Sequence, residues 1–507
     1  MMTNIRQPGI SLTELLEGFN TADRVPSIVI HDVASNSGNV TRDSVFIALP
    51  GITSNGIDYA IDAIKAGAVA VIYDSGDDYS LQRISLLRKQ VDTRWIGVDQ
   101  LDRVNGQIVS RYYGDPGRAM TIIGVTGTDG KSSVTHLLTQ ALTKIGKSCA
   151  SIGTLGYGIG NRLTPGSMTT PDAISLHSRL YKFKQQRCEY VVMEVSSHAL
   201  EQYRVDGCDF DIAVLTNLGR DHLDYHGDLA SYARAKARLF HDFELSARVV
   251  NADDAFGRQL SQHAEADSLT RYSIEVDGPA NAEVTLIESN LTIDGQNIRA
   301  LTPDGEVTAV TALIGGFNVE NTLACISTLV ALGLSHEQVE LGIKDLRPIP
   351  GRMERFSGDP SLPAAVVDFA HTEQALRACL MASREYARGE LWCVFGCGGD
   401  RDQGKRSGMG RVVEELADHA IITDDNPRSE SPEKIASEIL SGMQNPEKTS
   451  VVHNRQAAIE YALSQAQAQD LVVIAGKGHE QEQIIGSERR PFSDRHVVSR
   501  ILQARND

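Results

Sequence analysis

The run Gly124-Val-Thr-Gly-Thr-Asp-Gly-Lys-Ser132 concentrates glycines, one lysine and a hydroxyl in nine residues. Glycine-rich turns let backbone N–H groups converge on phosphate oxygens, and a helix N-terminus behind them adds positive potential. Lys131 has the length to reach β- and γ-phosphates, and the Ser132 hydroxyl is a type of group that ligates Mg²⁺. Val125 stands where the strict G-x4-G-K-[ST] spacing has its first glycine. The run predicts binding of a nucleoside triphosphate.

Further groups capable of chemistry follow. Met193-Glu194-Val195-Ser196-Ser197-His198 ends an apolar run in a carboxylate, the type of group that holds Mg²⁺ in nucleotide hydrolases. Thr216 to His226 is dense in hydrogen-bonding side chains and includes His222, a candidate ligand for a second divalent ion. Lys236 sits in Tyr232 to Phe240, a helical pattern that by itself gives the lysine no special role. Asn318 and Asn321, three apart, share a helix face, where they read a base edge or cap the helix. Near the C-terminus, Gly398-Gly-Asp-Arg401, Asp425-Asn-Pro-Arg428 and Gly476-Lys-Gly-His-Glu480 combine arginines and carboxylates suited to a zwitterion.

These groups need elements to hold them. Met120 to Val125 reads as a buried strand before the glycine loop and Val134 to Ile145 as a helix after it. In the first hundred residues, Ser27 to Ile30, Val45 to Leu49 and Ala68 to Tyr73 are strand-like, and Ala60 to Ala66 is helical. Tyr190 to Val195, Ile212 to Thr216 and Arg248 to Asn251 continue the strand series. Residues 280 to 312 are β-rich, with turns at Asp294-Gly295 and Asp304-Gly305. After a break at Pro348-Ile-Pro-Gly351, apolar strands at Ala364 to Phe369, Leu391 to Phe395, Ala420 to Thr423 and Leu471 to Ala475 alternate with helices. That alternation predicts a mostly parallel, Rossmann-type sheet with ligands at the strands' carboxyl ends, where the polar loops fall.

At 507 residues the chain exceeds one core, and its 41% hydrophobic and 23% charged content is that of a globular protein. A net charge of −17 argues against a nucleic-acid partner, whose backbone requires a basic face. No run nears ~18 apolar residues, so no membrane span is expected, and Met1 to Gly9 lacks a secretory pattern. Seven scattered cysteines suit reduced, buried thiols in a cytoplasm better than a disulfide framework.

Taken together, the motifs resemble those of the Mur ligases, ATP-dependent amide-bond-forming enzymes of peptidoglycan synthesis. The resemblance rests on Gly127-Thr-Asp-Gly-Lys-Ser132, Thr169-Thr-Pro171, Glu194-Val-Ser-Ser-His198, Asp221-His-Leu-Asp224, Ala235-Lys236, the Asn318/Asn321 pair, Gly351-Arg-Met-Glu354, Asp368-Phe-Ala-His371 and Asp425-Asn-Pro-Arg428. It covers nearly the whole chain. In this family the Asp-Asn-Pro-Arg motif goes with diaminopimelate rather than lysine as the added amino acid.

The resemblance implies an α/β fold of three domains: a small N-terminal UDP-substrate domain (1–103), a central phosphate-loop ATPase domain with a mostly parallel sheet (104–349) and a C-terminal Rossmann-like amino-acid domain (350–507). It implies addition of meso-2,6-diaminopimelate to the D-glutamate γ-carboxylate of UDP-N-acetylmuramoyl-L-Ala-D-Glu by a cytoplasmic monomer, with ATP as cosubstrate and Mg²⁺ as cofactor. A ligase adding L-lysine and a folylpolyglutamate synthetase-like ligase are the alternatives, with a non-ligating nucleotide switch behind them.

Roles carry over residue by residue. Gly127, Thr128, Gly130, Lys131, Ser132 and Ser133 hold ATP phosphates, and Asn318, Asn321, Arg352 and Asp368 line the nucleotide with His371, a candidate base. Ser132 and Glu194 bind one Mg²⁺, while His222 and a carbamylated Lys236 serve the second. Ser37, Thr169, Thr170, Ser196, Gln202 and Arg204 hold the UDP-linked substrate. Arg401, Asp425, Asn426, Arg428, Gly476 and Glu480 select diaminopimelate. The chain departs from the family pattern at Asn36-Ser-Gly38, where Asp-Ser-Arg is usual, at Asp129, at Ser132 in place of Thr, at Glu373 and at Ser407.

Overall fold

Parallel strands buried on both faces read as continuous apolar runs, and that is the pattern of the strongest strands in this chain. A computed structural model describes residues 9–51, 54–91, 93–166, 168–262, 264–275, 282–292 and 295–503. The chain divides into two units: the first runs to Ser273 and takes in Ser327–Ser335, and the second includes Val284–Ile326 and the chain from His336 onward.

The first unit opens with a four-stranded parallel sheet in the order Asp32–Ala34, Ser44–Ala48, Ala68–Asp74, Arg94–Val98. Val45, Phe46, Ile47 and Ala48 are all fully buried there. The helix Ala60–Ala66 forms as expected and stops at Gly67, whose φ of 120° suits glycine alone. The strand expected over Ser27 to Ile30 contracts to Val29–Ile30. The Ile28 N–H turns back onto the Pro26 carbonyl at 3.0 Å, so it cannot join a ladder.

A second sheet in this unit has the strand order Arg162–Thr164, Gly156–Ile159, Cys149–Gly153, Tyr190–Glu194, Thr121–Thr126, Ile212–Leu215, Ala247–Asn251, Leu269–Ser273. The first two pairings are antiparallel and the rest parallel. Register matters most here. Glu194 pairs with Val125 and Leu215 with Thr126, so three adjacent strands finish level and their following loops converge. Strand ends differ from the sequence reading by a residue or so, the usual fraying of such boundaries.

In the second unit, Val284–Thr292, Gly295–Thr302 and Gly305–Thr311 form an antiparallel meander. The turn expected at Asp304-Gly305 connects the last two, with Gly305 at φ 126°. Of the other expected turn, Asp294 lies outside the described residues. The C-terminal sheet has the order Glu354–Phe356, Ala364–Asp368, Leu471–Ala475, Leu391–Phe395, His419–Ile422, Ser450–Val451, parallel except for its first pair. Asp368 pairs with Ala475 and Phe395 with Ile422, again aligning the carboxyl ends. Beneath them a fully buried ion pair joins Arg455 to Asp494 through two hydrogen bonds of 2.7 and 2.8 Å, and the same guanidinium donates to the Ala475 carbonyl at 2.9 Å.

No helix among the described residues is long and apolar enough to cross a membrane. All seven cysteines are buried free thiols, as the spacing predicts. Breaking the Arg455–Asp494 pair from one side strands a buried charge: Arg455→Met should cost about 3–5 kcal/mol in urea unfolding, and adding Asp494→Leu should recover most of it.

Candidate active site

The glycine loop lies between the strand Thr121–Thr126 and the helix Lys131–Lys144. Gly127 has φ 149°, and a Cβ there would lie 1.9 Å from Thr216 Oγ1, so only glycine fits. Asn217, on the neighbouring strand-end loop, accepts from the Thr128 N–H at 2.9 Å and, through Oδ1, from the Asp129 N–H at 2.9 Å. Gly130 caps the helix in the left-handed region. By helix geometry, the N–H groups of Lys131, Ser132 and Ser133 have no intrahelical acceptor, and they point toward the loop's mouth.

Glu194 is buried at the end of its strand. Its carboxylate accepts from Ser132 Oγ at 2.7 Å, the Thr154 N–H at 2.8 Å and Thr154 Oγ1 at 3.2 Å. Gly153 makes room for it, since a Cβ would come within 2.2 Å of Glu194 Oε1. Burial raises the pKa of this carboxyl despite those donors.

Two lysines meet at one carbonyl. Lys131 Nζ donates to the Gly127 carbonyl at 2.8 Å and the Thr128 carbonyl at 2.7 Å, and Lys236 Nζ donates to the Gly127 carbonyl at 2.6 Å. Burial lowers both pKa values, that of Lys236 well below the usual lysine value, with Lys131 as a further depressing charge. Lys236 lies on the helix Leu229–His241, its ammonium 4.5 Å above the Tyr232 ring, and Tyr232 OH lies 3.2 Å from Thr128 Oγ1. The opposite face of that helix, with Ser231, Arg234, Ala235 and Arg238, borders a cavity of about 460 Å³.

His222 is exposed, with φ 52° and its Nε2 3.3 Å from Asp221 Oδ2. Its ring meets that of His198 edge-on at 4.8 Å and lies 6.3 Å from Tyr232. The structure thus sets His222 and Lys236 around one tyrosine ring without joining them directly.

Thr170 Oγ1 donates to the Glu194 carbonyl at 2.8 Å and accepts from the Ser196 N–H at 3.0 Å, while Thr169 Oγ1 lies 3.0 Å from Thr154 Oγ1. Arg204 donates to Gln202 Oε1 and the Thr170 carbonyl, and Gln202 donates to Tyr225 OH at 2.9 Å. Five of the six residues expected at the UDP-linked substrate therefore form one continuous patch. Ser37 does not join it: it opens the 3-10 turn Ser37–Asn39, where Asn36 Oδ1 accepts from the Gly38 N–H at 2.9 Å.

In the second unit, Asp368 is buried and accepts from the Met353 and Ala370 N–H groups, each at 2.7 Å. Arg352 stacks on the Phe369 ring at 4.8 Å, and the His371 ring meets it edge-on at 4.6 Å with Nδ1 2.8 Å from the Phe369 carbonyl. Asn318 Nδ2 donates to the Ile314 carbonyl at 2.8 Å and Asn321 Nδ2 to Asn318 Oδ1 at 3.0 Å. Arg428, at φ 50°, donates from Nη1 to the Gly399 carbonyl at 2.7 Å. Asn426 Nδ2 donates to Glu480 Oε2 at 3.0 Å, and a Cβ on Gly476 would lie 2.6 Å from Asp425 Oδ2. The three C-terminal loops converge, with Arg401 left exposed at the edge of the first.

The profile of the Mur ligase middle domain matches residues 125–329, and that of the Mur ligase, glutamate ligase domain matches 351–478. The UDP-N-acetylmuramoyl-L-alanyl-D-glutamate–2,6-diaminopimelate ligase of Alkalilimnicola ehrlichii is 43% identical over 504 residues, covering 99% of this chain and 98% of its own length. This chain belongs to the Mur ligase family. The protein of the same name from Ectopseudomonas mendocina is 42% identical over 94% of this chain and 96% of its own. A solved structure of a UDP-N-acetylmuramoyl-L-alanyl-D-glutamate–2,6-diaminopimelate ligase superposes with a TM-score of 0.75 at 33% identity, over 99% of this chain and 100% of that one.

Several side chains that organise this Mur ligase's site drew no role from sequence. Tyr232 and Thr154 are ordinary in composition, and their partners lie far away in the chain. Arg406, fully buried, ties Glu430, Glu438 and the Gly398 carbonyl together and so braces the loop carrying Arg401. Its sequence signal is its place in the first turn of the helix Lys405–Leu416, after a glycine-rich loop.

The donor set fits a hard divalent ion bound with nucleotide. Among the described residues no three His, Cys, Asp or Glu side chains gather as ligands, and Mg²⁺ is usually held by one or two protein groups together with substrate phosphates and water. Glu194 lies buried beside the Ser132 hydroxyl, the two oxygen donors at the helix N-terminus, and burial raises its pKa. Its folded-state pKa lies above the ordinary 4.5, so the protonated form favours folding, and that stability is lost as pH rises through the folded value. Ligand-free Glu194→Gln should accordingly be more stable than the parent at pH 8, with the advantage shrinking as pH falls toward 4.5, as measured by thermal unfolding against pH.

Proposed function

We propose that this Mur ligase adds meso-2,6-diaminopimelate to the D-glutamate γ-carboxylate of UDP-N-acetylmuramoyl-L-Ala-D-Glu, in peptidoglycan biosynthesis, with ATP as the activating cosubstrate. The observation that carries the reading is the Asp425-Asn-Pro-Arg428 loop, held by hydrogen bonds to the Gly396–Arg401 and Gly476–Glu480 loops. An arginine and carboxylates at converging strand ends suit an amino acid whose far end is itself a zwitterion. Relatives named for this reaction match along nearly the full chain.

Amide formation in water requires an activated acyl group. The γ-carboxylate attacks the γ-phosphorus of ATP, releasing ADP and leaving an acyl phosphate. The diaminopimelate amine, having lost a proton, then attacks the acyl carbon, and the tetrahedral adduct expels phosphate. Lys131 exchanges its two backbone carbonyls for phosphate oxygens, and the N–H groups of the first helical turn bind the same anion. Ser132 and Glu194 hold Mg²⁺, which when bound neutralises phosphate charge. Burial and Lys131 lower the pKa of Lys236, so it yields its proton more readily than an exposed lysine; the free amine can add CO₂ with loss of a proton, and the carbamate oxygens would serve a second ion together with His222. Asn318, Asn321, Arg352, Asp368 and His371 line the nucleotide.

Thr169, Thr170, Ser196, Gln202 and Arg204 hold the peptide end of the UDP-linked substrate, and Ser37 its uridine end. Arg401, Asp425, Asn426, Arg428, Gly476 and Glu480 select the amino acid. The division at residues 103 and 349, a cytoplasmic location and a monomeric state belong to the same reading.

Phosphate release from ATP and Mg²⁺ with the UDP-linked dipeptide should rise with meso-diaminopimelate and not with L-lysine, with a matching product mass. Release with lysine alone would reject the amino-acid assignment. Arg428→Ala should raise the KM for diaminopimelate about 10- to 100-fold, the scale of one lost charge-assisted hydrogen bond. Removing dissolved CO₂ should lower the parent's activity reversibly, with bicarbonate restoring it. Lys236→Ala should lose about 100-fold or more in kcat and gain nothing from bicarbonate.

A further inference from the structure

Lys477 stands between two glycines at the end of the strand Leu471–Ala475, and its side chain is fully buried. Its Nζ donates to Asn426 Oδ1 at 3.1 Å and to Glu480 Oε2 at 2.6 Å. The Ile484 N–H also donates to Asn426 Oδ1, at 2.9 Å, from the hairpin strand Glu482–Ile485. An ammonium and a backbone N–H can only donate, so both require the carboxamide oxygen on their side. The Asn426 nitrogen is thereby turned to Glu480, where it donates to Oε2 at 3.0 Å.

We propose that Lys477 is a positioning residue for amino-acid selection: it locks the Asn426 amide and the Glu480 carboxylate in the one arrangement that can receive an amino-acid zwitterion. The inventory of remaining valences supports this. Glu480 Oε2 is taken twice, while Oε1 has no protein donor among the described residues and is left to accept an ammonium. Asn426 has a second amide N–H left to donate to a carboxylate. Reversing that amide would set its oxygen against the carboxylate and its nitrogen against two donors. Lys477 also balances the Glu480 charge, so a ligand of zero net charge at that end meets a neutral pair. The Lys477 side chain, fully enclosed, acts through these two residues and touches no ligand itself. The proposal rests on the assignment of these loops to the added amino acid.

The test is steady-state kinetics of the full-length enzyme with each substrate varied in turn. Lys477→Met should raise the KM for diaminopimelate about tenfold or more while the KM values for ATP and the UDP-linked dipeptide stay within about threefold. Combined with Asn426→Ala, it should cost no more than the larger single change, because the two act as one unit. Lys477→Arg, which keeps a buried donor at a different reach, serves the same comparison should the Met variant fail to fold, and should also raise the diaminopimelate KM selectively. Loss of kcat or thermal stability with an unchanged diaminopimelate KM, equal shifts in all three KM values, or additive effects would overturn the proposal. A parent enzyme that responds to a different amino acid would instead overturn the substrate assignment, and the KM for that amino acid would then decide the role of Lys477.

Discussion

Two lysines converging on the Gly127 carbonyl set the terms for the rest of the nucleotide-loop region. A single backbone oxygen can hold both ammonium groups only where nothing else intrudes, and the missing Cβ at Gly127 is what allows the loop to press against Thr216. Burial pushes both lysines toward their neutral forms, and the Lys131 charge pushes Lys236 further. The contact also anchors the helix Leu229–His241 to the loop, with Tyr232 bridging through Thr128. A loop held this way is rigid before any anion arrives, so little ordering cost remains for binding. It is also electrostatically frustrated, which a phosphate group would relieve.

The second unit solves a different problem with similar means. Charged groups are buried at the strand ends and satisfied by one another: Arg455 by Asp494, Arg406 by Glu430 and Glu438, Lys477 by Glu480 and Asn426. Such networks add little net stability over apolar packing, but leaving any member unpaired is expensive. Their effect is to make each loop conformation unique. What remains unsatisfied is then a small set of valences, chiefly at Glu480, Asn426 and the exposed Arg401, and specificity resides in that remainder.

Much of this was legible in the order of residues. Local chemistry identified the phosphate loop, because a glycine turn with Lys131 and Ser132 is written in consecutive positions. Apolar runs placed most of the strands they singled out to within a residue or so, since burial on both faces leaves no alternation to misread, but Arg94–Val98, Cys149–Gly153 and Leu269–Ser273 were not singled out. Ser27 to Ile30 was overextended because a single proline turn outweighed an apolar pattern. The lysine at 236 had no legible role from residue chemistry: its partners are the Gly127 carbonyl, 109 positions away, and a ring. Only the family resemblance singled it out.

The sequence by itself determined which groups are available and which elements carry them: the glycine loop, the strand-end Glu194, the paired asparagines and the three polar loops after apolar strands. These are local matters, settled by neighbours in the chain and by the periodicity of burial. Tertiary structure alone decided which of these groups meet. Parallel register brought Glu194 level with Val125 in one sheet and Asp368 level with Ala475 in the other, so that within each sheet loops distant in sequence share its carboxyl edge. It buried Lys236 and Lys477, lowering the pKa of Lys236, and it left His222 and Arg401 exposed. The physical reason is that hydrogen-bond satisfaction and desolvation depend on every atom surrounding a group, and those atoms come from segments the chain joins only after it folds.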